Sequence, residues 1–290
     1  MRSAANTIEE LLKKSSDNFT RAERQVAHLI LDNYPVSGLG SITTIAQNAD
    51  VSTPTVARMV QKLGFKGFPE FQAELRSELE AKISNPISKH DTWTENAPES
   101  HIINRFTEAV FENIQQSMKF LDIETFDNSC KLLGDSDRSI YIVGGRITRA
   151  MASYFFLHMQ IIRSGVTHVE AISNAWPHYL LDIKQGDVLV IFDVRRYETS
   201  TLKLAEMAAE KGAEIILFTD QWKSPVSKYA THHFCNSITV PSAWDSSVTT
   251  LLLLEALIAS LQEEHWTETK SRIQDLENMF DQTKFFRKFT

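Results

Sequence analysis

The sequence predicts two domains, an all-α domain followed by an α/β domain whose parallel sheet is flanked by helices. Three observations carry this. Residues 1–84 hold only helical periodicity. Residues 85–100, NPISKHDTWTENAPES, combine two prolines with polar residues and break both periodicities, which predicts a linker. From residue 101 short apolar strands alternate with amphipathic helices over short connections, the signature of a parallel sheet covered on both faces.

Composition agrees with that class. A chain of 290 residues, 42% hydrophobic and 23% charged, is long enough for a sizeable core in each domain. MRSAANTIEELLKKSSDN holds no apolar run, so neither a secretory signal nor a membrane anchor is expected. The longest apolar stretch, TTLLLLEALIASL, is broken by Glu255 and reads as a core or interface helix rather than a membrane span. Cys130 and Cys235 lie far apart without metal-ligand spacing, as expected of reduced thiols in a cytoplasmic protein. The net charge of −7 argues against coating nucleic acid along the whole surface, but leaves room for one local basic contact.

In TRAERQVAHLILDNY, Thr20 stands three residues before Glu23, close to a capping box, and Val26, Ile30 and Leu31 follow at helical spacing. The sharpest pattern is SITTIAQNADVSTPTVARMVQKLGF. Ser41 can cap a helix whose Ile42, Ile45, Ala46 and Ala49 share one face; the helix ends near Asp50, and Val51 plugs the corner. Ser52 can cap the next helix, with Pro54 tolerated in its first turn. Val56, Met59, Val60 and Leu63 form the buried stripe of that helix and Gly64 stops it. Two short helices about a tight turn make a helix-turn-helix. Thr53, Pro54, Ala57, Arg58 and Gln61 share the outer face, and from Val51 to Pro69 there are basic residues but no acid. A guanidinium can grip a guanine bidentately and lysines can neutralise phosphates. The set expected to meet double-stranded DNA is Ser41, Thr43, Ser52, Thr53, Pro54, Thr55, Arg58, Lys62 and Lys66. The competing reading is a small helical interaction domain with a solvated basic face.

These residues resemble a family. FTRAERQVAHLILDN, then VSTPTV and KLGFKGFPEFQ at their spacing, look like the N-terminal domain of RpiR/MurR-type bacterial transcriptional regulators, over about residues 5–80. The resemblance implies a winged-helix-like DNA-binding domain, with Phe65, Phe68 and Phe71 folded back onto the core. It also implies a second domain of the sugar isomerase (SIS) type, here residues 101–268, followed by a helical tail over residues 269–290 with no assignable role. Within the second domain the reading places strands at SIYIVG, THVEAI, DVLVIFDV, EIILFTD and HFCNSITV, and a long helix at Ser246–Glu264.

SIS domains that sense phosphorylated sugars usually carry a glycine-rich turn closed by serine after the first strand, and a Ser-x-Ser-Gly-x-Thr turn after the third. This sequence departs from both. After the first strand Gly144 and Gly145 remain, Arg146 stands where a glycine is expected, and Thr148 replaces the serine. After the third, Asp193 and Arg195 replace the two serines, Arg196 the glycine and Glu198 the threonine. An acid repels a phosphate, and a bulky residue at the glycine position obstructs close backbone approach. The expected effector-binding set is Gly144, Gly145, Arg146, Thr148, Asp193, Arg195, Arg196, Glu198 and His178, and the expected effector a small anion, a carboxylate rather than a sugar phosphate. Alternatively, the same charges pair among themselves and only preserve the fold or a dimer contact.

No catalytic residue, metal or cofactor is expected: His232 and His233 have no third ligand at a sensible spacing. The leading reading is a ligand-responsive regulator acting as a homodimer or homotetramer on a DNA operator, without a membrane role. The alternatives are a SIS-type isomerase carrying a helical domain, with Glu170, Asp193, Glu198 and His178 as acid–base groups, and a ligand-independent repressor. A dinucleotide oxidoreductase is weaker, because GGRITR lacks the later glycines of that fingerprint.

Overall fold

The structure is a computed structural model that describes residues 7–32, 34–83, 86–87, 89, 100–170 and 172–284. The chain divides into two compact units, residues 1–98 with 242–244 and residues 99–241 with 245–290. Most of the expected linker falls outside the described residues; Pro86, Ile87 and Lys89 are helical.

The first unit is built from α1 (Ile8–Lys14), α2 (Arg21–Asp32), α3 (Ile42–Asn48), α4 (Thr53–Lys62) and α5 (Phe68–Ile83), and every element among its described residues is helical. Val26, Ile30, Ile45, Val56, Met59, Val60, Phe71 and Leu75 are fully buried in one core. The capping box forms reciprocally: Thr20 N–H donates to Glu23 Oε2 at 2.7 Å, and Glu23 N–H to Thr20 Oγ1 at 3.3 Å. Two paired backbone turns then fix the helix-turn-helix. At the end of α3, Val51 N–H reaches Ala46 O (2.9 Å) and Asp50 N–H reaches Gln47 O (3.1 Å), with Asp50 at φ 52°. At the end of α4, Phe65 N–H reaches Val60 O (3.2 Å) and Gly64 N–H reaches Gln61 O (2.8 Å), with Gly64 at φ 87°. Both are the Schellman arrangement, which satisfies the last carbonyls of a helix while reversing the chain. Phe65 then packs edge-on against Phe71 at 5.2 Å between ring centroids.

The second unit opens with α6 (Ile102–Phe120) and α7 (Ile123–Gly134). It continues as β1 (Ile140–Gly144), α8 (Arg149–Ile162), β2 (Val166–His168), α9 (Trp176–Asp182), β3 (Val188–Phe192), α10 (Thr199–Glu210), β4 (Glu214–Asp220), β5 (His232–Asn236), α11 (Val248–Glu264) and α12 (Trp266–Thr283). The five strands pair in parallel in the order β2-β1-β3-β4-β5. Both faces are covered. Side chains of α7, α8 and α11 bury one face, where Phe192, Phe218 and Phe234 stack at 4.8 and 5.0 Å, and those of α9 and α10 bury the other.

The long helix starts at Val248 and the DVLVIFDV strand ends at Phe192, each two residues inside the reading, and three further boundaries differ. The THVEAI run is a strand only to His168; after one more ladder bond, from Val169 N–H to Ile142 O at 2.9 Å, the chain leaves the sheet. HFCNSITV ends as a strand at Asn236, because Ser237 turns its N–H to Ser117 Oγ on α6 at 2.8 Å. The tail helix begins at Trp266 and has a structural role: Arg272 Nη2 donates to Gln160 O at 2.7 Å, satisfying a carbonyl at the end of α8.

The strand order has one functional consequence. From β1 the chain moves to β2 on one side and then returns to β3 on the other, so the connections diverge between β1 and β3. In open parallel sheets the crevice beyond the C-terminal ends of such a strand pair is where ligands bind.

Candidate functional site

On the first unit, α4 presents Pro54, Arg58 and Gln61 to solvent, with Thr53 and Ala57 half-buried beside them. Arg58 and the Lys66 side chain make no hydrogen bond or ion pair among the described residues and are available to DNA; Glu70 accepts the Lys66 backbone N–H. Ser41 caps α3, accepting Thr44 N–H at 3.1 Å, and Thr43 is exposed beside it.

Three expected roles in this region change. Ser52 stands at the N-cap position but makes no side-chain bond to the helix backbone; its hydroxyl pairs with that of Thr55 at 2.9 Å. Thr55 is buried, turned inward by its position on the Val56 side of the helix, and offers DNA no surface. Lys62 points back at α2: its Nζ lies 2.7 Å from Glu23 Oε2 and 3.2 Å from Asn18 O. Burial works against the Glu23 carboxylate, but the bonds from Lys62 and Thr20 outweigh it and hold its pKa below the usual carboxylate value. Lys62 therefore locks the recognition helix onto α2. Lys62→Met is expected to lower the melting temperature, costing about 1–2 kcal/mol, because it strands a buried carboxylate. The salt dependence of DNA binding is expected to stay as in the wild type, which parallel denaturation and binding titrations check.

On the second unit, the turns after β1 and β3 meet at the divergence point. Gly144 ends β1 and Gly145 follows it; a Cβ on Gly144 would lie 2.7 Å from backbone atoms of Thr148 and Arg149, so only glycine lets α8 begin there. Thr148 Oγ1 accepts Gly145 N–H at 2.9 Å and donates to Phe192 O at 2.8 Å, joining the two strand ends. Glu198, at the start of α10, reaches across: its Oε1 accepts the Arg146 backbone N–H at 3.2 Å.

The turn that carries Glu198 is anchored from below. Asp220, fully buried at the end of β4, accepts Arg195 N–H at 2.5 Å, Tyr197 Oη–H at 2.7 Å and Trp222 N–H at 2.9 Å. Asp193 accepts from Ser224 Oγ and from the Glu198 backbone N–H. Arg195 sits at φ 62°, a left-handed conformation that a side chain adopts only where its surroundings impose it. Its guanidinium makes a two-pronged pair with Asp245, at 3.0 and 3.1 Å, and lies 4.1 Å from the Trp222 ring centroid. Arg195 is thus committed to the fold. Arg146 and Arg196 are exposed, and their side chains make no hydrogen bond or ion pair among the described residues. His178 is exposed on α9 and makes no hydrogen bond to these turns, while Trp176 is core, donating to Glu170 O at 2.6 Å. Ser224, Tyr197 and Asp220 join the site only through the fold; no motif marked them. Among the described residues, no three His, Cys, Asp or Glu side chains group as a metal site requires.

Burial, first, and then the nearby Asp220 and Glu198 charges raise the Asp193 pKa to about 6, against the Ser224 and Glu198 hydrogen bonds that lower it. The unfolded chain releases this proton near 3.8, so between about 3.8 and 6 the folded chain binds more protons. The contribution is complete below that window and is lost as pH rises through it, on the order of 2–3 kcal/mol. Asp220 is raised by burial in the same direction. Asp193→Asn is expected to flatten the melting-temperature profile between pH 4 and 7.

A helix-turn-helix with an uncommitted basic face, in one chain with a doubly wound sheet whose turns meet at the divergence point, defines a DNA-binding regulator with a ligand domain. Residues 6–82 match the helix-turn-helix domain of the rpiR family and residues 133–260 the SIS domain. The chain belongs to the RpiR family of transcriptional regulators. It is 25% identical to the HTH-type transcriptional regulator HexR of Pseudomonas aeruginosa, over 81% of this chain and 80% of that protein. It is 30% identical to the bifunctional protein glk of Burkholderia orbicola over 79% of this chain, but spans only 35% of that longer protein. Among solved structures, Vibrio vulnificus NanR complexed with ManNAc-6P shares the fold with a TM-score of 0.55 at 18% identity, over 95% of this chain and 98% of that one. The sugar isomerase domain of an RpiR transcription factor from Sphaerobacter thermophilus gives 0.56 at 19% identity, over 61% of this chain and 97% of that one.

Proposed function

We propose that the protein is a cytoplasmic regulator that binds its operator, as a homodimer or homotetramer, through the outer face of α4, and that a small anionic ligand in the β1/β3 cleft sets its DNA affinity. The ligand class we favour is a carboxylate. The observation that carries this is the pair Arg146 and Arg196, exposed and uncommitted on the two turns that Glu198 ties together. Guanidinium groups grip planar carboxylates in a bidentate fork. The acids of the cleft are used as anchors, Asp193 on Ser224 and Glu198 on Arg146 N–H, which favours a sensor over an acid–base enzyme. No described helix is long and apolar enough to cross a membrane.

An effector changes operator occupancy only through different affinities for the DNA-competent and DNA-incompetent arrangements. The test is a thermal-shift screen of the full chain against dicarboxylates, keto acids, amino acids and sugar phosphates, ManNAc-6P among them because a structural neighbour was solved with it. Ligand binding to the folded state alone raises apparent stability. The expected result is a carboxylate-induced shift that Arg146→Ala/Arg196→Ala removes. Stabilisation by sugar phosphates alone, unchanged in that double variant, contradicts the carboxylate reading.

A further inference from the structure

We infer that Glu198 sets the ligand class of the β1/β3 cleft, by holding its own carboxylate where a ligand's phosphate would otherwise be received. This rests on the reading of that cleft as the ligand site. The turn after β1 is built to accept an anion, since its backbone amides stand ahead of the first turn of the 14-residue helix α8. Arg146 N–H donates to Glu198 Oε1 at 3.2 Å, and the Ile147 and Thr148 amides have no acceptor among the described residues. The carboxylate lies directly over Gly145: a Cβ built there would come within 2.8 Å of Oε1. A negative group delivered from another strand's turn therefore already fills the position.

The seating is enforced by the fold. Glu198 N–H is held by Asp193, and the turn before it by Asp220, through Arg195 N–H and Tyr197 Oη–H, and by Asp245 through the Arg195 side chain. These bonds fix the backbone from which the Glu198 side chain reaches across, and the carboxylate itself is held at the turn by the Arg146 N–H. A phosphate dianion entering the cradle would meet the Glu198 charge at contact distance and the Asp193 charge behind it, a repulsive element built against one ligand class. A carboxylate gripped by Arg146 and Arg196 does not need the cradle.

The experiment titrates inorganic phosphate into the full chain by calorimetry, comparing wild type, Glu198→Thr, Glu198→Gln and Glu198→Thr/Gly145→Ala. Gly145 is not in the left-handed region, so alanine there adds only the obstructing methyl. Phosphate is expected to bind Glu198→Thr at least about tenfold more tightly than wild type, Glu198→Gln by a smaller factor, and the double variant no better than wild type. Equal phosphate affinity in wild type and both folded single variants overturns the proposal, as does a gain that survives Gly145→Ala. A measurement on the wild type is independent of how the variants fold. Phosphate is expected to leave the Arg146, Ile147 and Thr148 amide resonances unshifted, and a saturable shift there overturns the proposal. Failure of the underlying reading has a different mark: no ligand of any class alters DNA affinity, whatever phosphate does in the variants.

Discussion

Arg58→Ala is expected to weaken binding to a duplex selected from a random pool by about 10- to 100-fold, and to relax base preference at one position of each half-site. Arg58 stands on the outer face of α4 with no partner in the described fold, between the exposed Pro54 and Gln61. A bidentate arginine–guanine contact discriminates by about 1–3 kcal/mol, and removing the side chain forfeits it. Lys66→Ala should behave differently, weakening all duplexes alike and reducing the slope of log affinity against log salt by about 0.9 for each phosphate that the lysine neutralises. Fluorescence anisotropy at several salt concentrations, with selected and scrambled duplexes, separates the two. Equal weakening on both duplexes for Arg58→Ala would make it a backbone-binding residue.

Asp245→Ala is expected to destabilise the SIS unit by about 2–3 kcal/mol, lowering its melting temperature by about 5–10 °C. The Arg195 and Asp245 side chains are only 11% and 16% exposed, so removing the acid leaves a guanidinium with little water, held against Trp222 and on a left-handed backbone. Exposed pairs contribute little, but a mostly buried one that loses a single partner is costly. Arg195→Ala/Asp245→Ala is expected to cost less than the sum of its single variants, since the second change removes the stranded charge. Additive effects in the double-mutant cycle would show the two side chains to act independently.

Much of the fold was legible because periodicity is local. The stripe Val56, Met59, Val60 and Leu63 is buried as its spacing requires, the EIILFTD strand has the predicted limits, and the Thr20–Glu23 box closes. The site was legible only as far as the turns. Thr55 entered the DNA set although spacing left it off the outer face, and it is buried; charge alone put Lys62 on phosphate, yet a buried acid 39 residues earlier claims it. Arg195 and Asp245 lie 50 residues apart and meet because strand ends and the start of α11 converge, which no local pattern encodes. The alternative that the cluster's charges pair among themselves is not what forms: Arg195 pairs outside the cluster, with Asp245, while the Arg146 and Arg196 side chains are left to solvent. The strand ends SITV and VEAI failed for a related reason: an apolar run specifies burial, while the hydrogen bond that Ser237 N–H donates to Ser117 and the exit after Val169 decide where the ladder stops.

The most direct test of a sensor at the β1/β3 cleft is operator affinity measured with and without the best carboxylate from the thermal screen, in wild type and in Arg146→Ala/Arg196→Ala. The expected result is a ligand-dependent change of about tenfold or more in wild type, within the usual range of allosteric coupling, and none in the double variant, whose ligand-free DNA affinity stays as in wild type. A ligand response of equal size in both proteins would contradict it, placing the sensor elsewhere in the chain.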